Sequence, residues 1–531
     1  MSNPDSLPAP RRHWLEALVL AFVFAVAHTQ SPLYYSNQNQ YLLHGAALGS
    51  YGHLASDWLA TTRDPTPLFS ALVAGAYATC GPWLLQPAYF MLLVGYFLTA
   101  RWLITAVPSF PNTRSARIVF AALFTAAHAA ILRWASVQLT GTDYPWYFQS
   151  GLAAQYLLGP GIQPSAFGVL LLVAVAAFAH GKQVAAAVLT ALAVVCHGTY
   201  ALPSALLTLG FMATLARAGR WGRAVSIGTI ALLVVSPVVV YDLYEFTAPR
   251  YTTDEAARIL ASVRIPHHCV PARWFDAAAG AQLAWCTVGL LLLRRTSVFV
   301  PLVIATTIAV LLTVVQLETR SFTLALMFPW RLSVLLVPVA TAVVIAKARA
   351  WRPPGRWTGL LAGVGLVALV VGGVVVTACG LGYRTADEHE LYDYVRATAG
   401  PHDVYLLPVQ FPGVGSGRGA VSNTFTSPPR SQAGANQIPV DLQQFRLVTG
   451  ACVYVDFKSV PYAPGEVLEW NRRMTVASEM TRHGEWNHPE RREELTKEGI
   501  THVVSPRTKP ITVGYLEEVH RDAAYIVYRV K

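Results

Sequence analysis

Charge is scarce in this chain. Of its 531 residues only 13% are Asp, Glu, Lys or Arg, while 54% are hydrophobic. A soluble domain carries about a quarter charged residues, so a wholly soluble protein is excluded. Acids are scarcest in the first 379 residues, which hold eleven: Asp5, Glu16, Asp57, Asp64, Asp143, Asp242, Glu245, Asp254, Glu255, Asp276 and Glu318. The same stretch carries 23 Lys and Arg, whereas residues 380–531 carry 17 against 18 acids. The positive excess therefore sits among the apolar segments, where loop charge orients a membrane protein. No basic patch on a soluble face calls for nucleic acid. Cysteine is also sparse. None of the six forms a CxxC pair, so zinc and thiol-redox chemistry are set aside. If both ends are exported, Cys269–Cys452 and Cys379–Cys452 stay open as disulfides, since sequence does not fix connectivity. Arg11 and Arg12 precede an apolar run that lacks a small-residue cleavage site, so the first apolar segment is expected to be retained as a span.

Apolar runs are plentiful. A span takes about 20 mostly apolar residues. The runs at 14–30, 84–104, 115–133, 166–180, 184–200, 203–216, 224–240, 279–293, 298–316, 322–346 and 357–378 predict about eleven transmembrane helices. With the N-terminus cytoplasmic, the inner loops then hold Arg101, Arg114 and Arg117; Lys182; Arg217, Arg220 and Arg223; Arg294 and Arg295; and Lys347, Arg349, Arg352 and Arg356. Counting 66–81 as a further span breaks this alternation, so it is expected at the interface or re-entrant. The opposite face receives segments 31–83, 134–165, 241–278 and 317–321, everything after 379, and nine of the eleven acids. Loops longer than about 12–15 residues usually carry a function. Within 31–83, residues Gln38 to His53 predict a short interfacial helix.

The tail 380–531 mixes helix and strand. Segments 386–399, 466–480 and 488–499 predict helices, and 403–410, 451–457, 501–506 and 523–530 predict strands. This pattern suggests a small α/β domain on the extracytoplasmic side. The glycines of FPGVGSGRG, inside the Gly/Ser/Pro-rich stretch 411–438, lack a strand–GxGxxG–helix frame, so a nucleotide loop is rejected.

A few polar residues can carry chemistry. Asp57, in S-D-W-L, follows the first span by about 25 residues. Trp58 favours headgroup depth, and a carboxylate held there can act as general base on an acceptor hydroxyl. A solvated loop acid or helix cap is the alternative. Asp64 and Asp143 are further carboxylates. With Asp57, Asp143 can flank a donor or hold a divalent cation such as Mg or Mn through hard oxygen ligands. Arg331, in F-P-W-R-L, interrupts an apolar run. Such a charge is costly and is functional, paired or snorkelling, and a guanidinium matches phosphate oxygens in a bidentate fork. His197 and Arg320 are weaker candidates for the same phosphate, His197 reading more readily as a packed, hydrogen-bonded histidine.

Taken together, the Asp57 segment and the loop plan resemble the GT-C superfamily of integral-membrane glycosyltransferases. The tail stretch VTGACVYVDFKSVPYAPGEVLEWNRR looks like tails of uncharacterised bacterial members. The paired acids common in that family's first loop are absent, since Trp58 follows Asp57. The resemblance implies a transmembrane domain over 1–379 and a soluble extracytoplasmic domain over 380–531, in a bacterial inner membrane. It also implies a polyprenyl-phosphate sugar donor and inverting transfer to a glycan, lipid or protein acceptor. Asp57 would be the base, and Arg331, His197 and Arg320 would hold the donor phosphate. Two other classes stay open: a lipid or glycan transporter or flippase, which would show matching halves with broken spans, and a non-catalytic membrane assembly protein.

Overall fold

The computed structural model describes residues 10–108, 110, 113–351, 356–383, 389–409, 442–482 and 486–531, which leaves the FPGVGSGRG stretch outside the described residues. Among the described residues, six helices are long and apolar enough to cross a membrane: Pro82–Thr105, Gly198–Arg217, Trp221–Glu245, Phe299–Thr319, Phe322–Ala348 and Trp357–Cys379. A seventh span arises if Arg114–Ala126 and Ala130–Thr140, bent by 48° at their join, act together. This corrects the expectation of about eleven. The apolar helices Trp14–His28, Pro164–Ala179, Gln183–Cys196 and Ala277–Leu292 are shorter. A 14-residue helix extends only about 21 Å at 1.5 Å per residue, against an apolar core of about 30 Å. The apolar run 184–200 continues past the point where the backbone stops the helix, at Cys196. The segment expected at the interface forms the helix Pro67–Thr79, also too short to cross.

The chain fits a helical membrane protein. Its longest apolar helices leave large side chains on the outside, among them Leu232, Leu233, Val240, Leu361, Val364 and Val367. Exposed apolar faces of that extent suit a lipid surrounding. The Phe322–Ala348 helix is by contrast mostly covered by its neighbours. It begins irregularly: Phe328 adopts φ +49°, and a 3₁₀ turn, Pro329–Leu332, precedes the regular helix. Arg331 therefore sits at a break. The ion pair of Arg117 with Glu16 at 2.7 Å joins two helices, and that of Arg133 with Asp143 at 2.7 Å ties the helix Ala130–Thr140 to the turn after it.

The C-terminal part is an α/β unit, as its strand and helix pattern predicts. Its strands are β1 (Val404–Leu406), β2 (Cys452–Val453), β3 (His502–Pro506), β4 (Leu516–Arg521) and β5 (Tyr525–Val530), in the order β2-β1-β3-β5-β4. β1 pairs in parallel with β2 and β3, and β5 pairs antiparallel with β3 and β4. β4 escapes sequence reading because LEEVHR is too polar to look like a strand; only Leu516 in it is buried. Alternating side chains cover both faces. Leu406, Val503 and Ile526 meet Val467, Trp470 and Met474 of the helix Pro464–Arg482, while Tyr405, Val504 and Val527 meet Leu391, Val395 and Phe445.

The core of this unit is completed from outside it. Ala256, Ile259 and Leu260, from the helix Arg250–Ile259 and the π-turn Leu260–Arg264, are part of the same apolar cluster as Trp470 and Met474. The loop 31–83 docks on the same unit backbone to backbone: the His53 amide donates to the Gly450 carbonyl at 2.7 Å. Gly52 (φ +56°) and Gly450 (φ +74°) face each other there, and a Cβ on Gly52 would fall 2.6 Å from Gly450 backbone atoms. Both the dihedral and the approach require glycine. Gly52→Ala is expected to cost about 1–3 kcal/mol of stability and to expose the 31–83 loop to protease, checked by thermal unfolding in detergent and by limited proteolysis.

Candidate functional site

The joint between the loop 31–83 and the C-terminal unit is ionic. Asp57 follows the 3₁₀ turn Leu54–Ser56, and its side chain is fully buried. Its Oδ1 accepts from the amides of Leu59 (2.9 Å) and Ala60 (3.3 Å). Its Oδ2 accepts from Arg446 Nε (2.7 Å) and the Val453 amide (2.8 Å). Arg446 also pairs with Asp456 through Nη1 and donates from Nη2 to the Val453 carbonyl at 2.9 Å. Burial works against the Arg446 charge, but Asp57 and Asp456 outweigh it and hold its pKa above the ordinary guanidinium range. Asp456 in turn accepts from the Ser459 amide, and its carbonyl receives the Trp470 indole N–H.

This geometry argues against the reading of Asp57 as a base at headgroup depth. A general base needs a lone pair within reach of the proton it takes, and both oxygens of Asp57 already accept two bonds each, inside the protein. The other predicted carboxylates are also committed. Asp143 Oδ2 is held by Arg133 Nε (2.9 Å) and Nη2 (2.7 Å), and its Oδ1 accepts from the Trp146 amide. Asp64 closes a local turn onto the Thr66 amide at 2.8 Å. Asp57 and Asp143 are neutralised by different arginines, and no group of three or more metal-ligating side chains occurs among the described residues. The residues present thus do not fit the divalent site that Mg or Mn would need. Arg320 is exposed at a helix end, with φ +52°, and does not join Arg331. All six cysteines are free; Cys452 Sγ donates to the His53 carbonyl, and neither disulfide left open by the spacing forms.

Arg331 and His197, by contrast, come together. They line a cavity of about 130 Å³ bounded by the loop 31–83, the segment 154–165, the helix ends near 197 and 331, the 264–268 turn and the C-terminal unit. Two further cations line it, Arg264 and Lys458, and no carboxylate among the described residues does. Arg264 ends the π-turn, a distortion frequent at functional sites. Its Nη2 donates to the Lys458 carbonyl at 2.5 Å, and its guanidinium lies 5.2 Å from the Phe457 ring centre. Burial pushes its pKa down, yet an arginine stays protonated. Lys458 Nζ donates to Asn37 Oδ1 at 2.5 Å. Arg331 lies 5.0 Å from the Tyr200 ring centre. Several buried polar atoms of the lining lack a hydrogen-bond partner: Arg264 Nε, Arg331 Nε, Gln155 Oε1, Ser165 Oγ and Thr199 Oγ1. Buried polar groups are normally satisfied, and three gathered cations repel one another. The repulsion and the unpaired donors Arg264 Nε, Arg331 Nε, Ser165 Oγ and Thr199 Oγ1, but not the acceptor Gln155 Oε1, are relieved by an anion with several acceptor oxygens, of which a phosphate is the simplest.

A second cavity of about 280 Å³ adjoins the first. The two share Tyr41, His197, Thr199 and Tyr462, and the second adds Asp242 and Phe246. Together they reach the size of small-molecule sites, about 300–1,000 Å³. Sequence reading finds Arg331 and His197 but misses Arg264, Lys458, Tyr41, Tyr462 and Asp242. One signal was available: Arg264 and Lys458 are basic residues on the face that charge bias assigns to acids.

A family model described as a domain of unknown function (DUF6798) matches residues 435–477. That short segment supplies Arg446 and Asp456 of the ionic joint and Lys458 and Tyr462 of the cavity. No curated protein matches the chain.

Breaking the joint leaves a buried charge unpaired, which costs about 3–5 kcal/mol. Arg446→Ala is expected to lower the thermal midpoint sharply in detergent, whereas an exposed-site control, Arg320→Ala, leaves it in place. A pH effect follows from the cavity wall. His268 Nδ1 donates to the Ala153 carbonyl at 2.5 Å, and burial pushes the His268 pKa down to about 3. The unfolded chain binds this proton below about pH 6.5, while the folded protein refuses it until about 3. Stability is expected to fall as pH drops through this window, by up to about 1.4 kcal/mol per pH unit for this group, and to be indifferent to His268 above it. His268→Gln should flatten the fall between pH 6.5 and 4, read from unfolding midpoints across that range.

Proposed function

We propose that the chain is a membrane glycosyltransferase that moves a sugar from a polyprenyl-phosphate donor to an acceptor hydroxyl. In this reading the cavities and the C-terminal unit face the outer side of a bacterial inner membrane and the N-terminus faces the cytoplasm. The observation that carries it is the cavity lined by Arg264, Arg331 and Lys458 without a carboxylate, its buried donors unsatisfied. Its position supports a lipid ligand: Gly198 begins one candidate span and Asp242 lies in the last turn of another, so the cavities open at the depth where apolar helices end and headgroups would lie.

The chemistry follows from the charges. When the glycosidic carbon–oxygen bond breaks, the electron pair stays on the phosphate oxygen and the lipid phosphate leaves carrying more negative charge. Cations already in place stabilise that charge without reorganising. Arg331 and Arg264 offer planar donors, and Lys458 adds a third positive charge. Asp57 enters this reading as the strut that holds the loop 31–83 and the Lys458 segment in register. It is not the base.

Hydrogen bonds to a charged group contribute about 1.5–3 kcal/mol each. Arg331→Ala and Arg264→Ala, in lipid nanodiscs, are therefore each expected to weaken binding of undecaprenyl phosphate by about tenfold or more. Native mass spectrometry of the bound lipid is the check, with phosphatidylglycerol as the competing headgroup. Binding at wild-type strength by both variants would withdraw the phosphate assignment.

A further inference from the structure

Resting on that reading, we infer that Asp242 is the general base of the transfer, and that the larger cavity, which shares Tyr41, His197, Thr199 and Tyr462 with the cation-lined one, receives the acceptor hydroxyl.

The candidates are separated by what their carboxylates already touch. Asp57 is closed inside the Arg446 joint and Asp143 inside the Arg133 pair. Asp64 caps the turn to Thr66, and Glu245 pairs with Arg63 at 2.6 Å. The Asp242 side chain makes no hydrogen bond or ion pair among the described residues. It is half-buried rather than surface-exposed, and it lines the larger cavity. Its Oδ2 lies 4.0 Å from where a Cβ on Gly198 would stand, directly after His197 in the shared lining. Asp242 is thus an uncommitted carboxylate, opening onto a cavity that adjoins the anion site.

The two chambers divide the reaction as a direct displacement requires. The donor phosphate lies among Arg264, Arg331 and Lys458. The anomeric carbon lies beside the shared lining residues, and the acceptor approaches from the Asp242 side, opposite the leaving group. Asp242 takes the proton of the acceptor hydroxyl as its oxygen bonds to the anomeric carbon. The bond from that carbon to the phosphate oxygen breaks, and its electron pair leaves with the lipid phosphate. The proton on Asp242 then passes to water, and the configuration at the anomeric carbon inverts. The larger cavity is lined by Tyr41, Pro65, Phe246 and Tyr462 around the single carboxylate. It therefore suits an acceptor that presents a hydroxyl on a ring or apolar body, and no cation in it would attract an acidic one.

The test uses the full chain in nanodiscs with four donors, the undecaprenyl-phosphate esters of mannose, glucose, galactose and arabinose. Octyl glucoside and water serve as acceptors, and released undecaprenyl phosphate is measured by mass spectrometry. Positioned proton transfer contributes about 10²–10⁴-fold, so Asp242→Asn should lower release at saturating donor by at least about 100-fold while donor binding stays within about threefold of wild type. Asp242→Glu, which keeps the carboxylate, should recover part of the loss. Release by Asp242→Asn at the wild-type rate overturns the assignment of the base alone. Loss of donor binding together with release, in both Asp242→Asn and Asp242→Glu, makes Asp242 a structural residue and overturns it as well. Failure of the wild-type protein to release lipid phosphate from any of the four donors that it binds counts against the glycosyltransferase reading itself.

Discussion

One buried guanidinium, Arg446, ties the first long loop of this protein to its C-terminal unit. It is buried between Asp57 of the first long loop and Asp456 of the C-terminal unit, and every hydrogen bond around it ends on backbone or on one of those two carboxylates. A charge so deeply buried is tolerable only where its partners are complete. That condition fixes the approach of loop and domain to within a hydrogen bond's length, and the Gly52–Gly450 contact exists because the approach is that close. From Asp456 the chain needs only two residues to reach Lys458, which faces the cavity. The arrangement of the site therefore depends on a joint that is not itself part of it.

The same reasoning changes the role of the acids. Carboxylates gathered on one face suggest polar chemistry there, but a carboxylate is chemically available only if no cation has claimed it. Most of the acids near the cavity are claimed: Asp57 by Arg446, Asp143 by Arg133 and Glu245 by Arg63. The cations are divided in a complementary way. Those that pair build the scaffold, and Arg264 and Arg331, each with a buried Nε lacking a partner, face the cavity. A field of one sign in an enclosed cavity is a binding device for the opposite sign.

The C-terminal unit is an integral part of the site. Its core takes in Ile259 and Leu260 from the loop that ends at Arg264, so packing in the α/β unit positions a guanidinium of the membrane half. The segment that matches a domain of unknown function lies at this boundary. It carries the joint, one cavity cation and the aromatic ring of Tyr462, which shows why that stretch makes little sense as an isolated domain.

What the sequence determined by itself was composition and local pattern: a helical membrane part, a C-terminal α/β unit with four of its five strands, and the oddity of Arg331 within an apolar run. These follow from hydropathy and side-chain periodicity, which are properties of neighbours in the chain. The number of helices long enough to span was decided by the tertiary structure, because apolar composition continues through turns such as His197–Gly198, where the helix does not. Which acids are spent and which are open was also decided there. Asp57 and Asp242 look alike in sequence, each an Asp in a loop-bound stretch beside aromatic and aliphatic residues. Arg446 lies 389 residues from Asp57, and no local rule brings it there; only the fold neutralises one carboxylate and leaves the other facing a cavity.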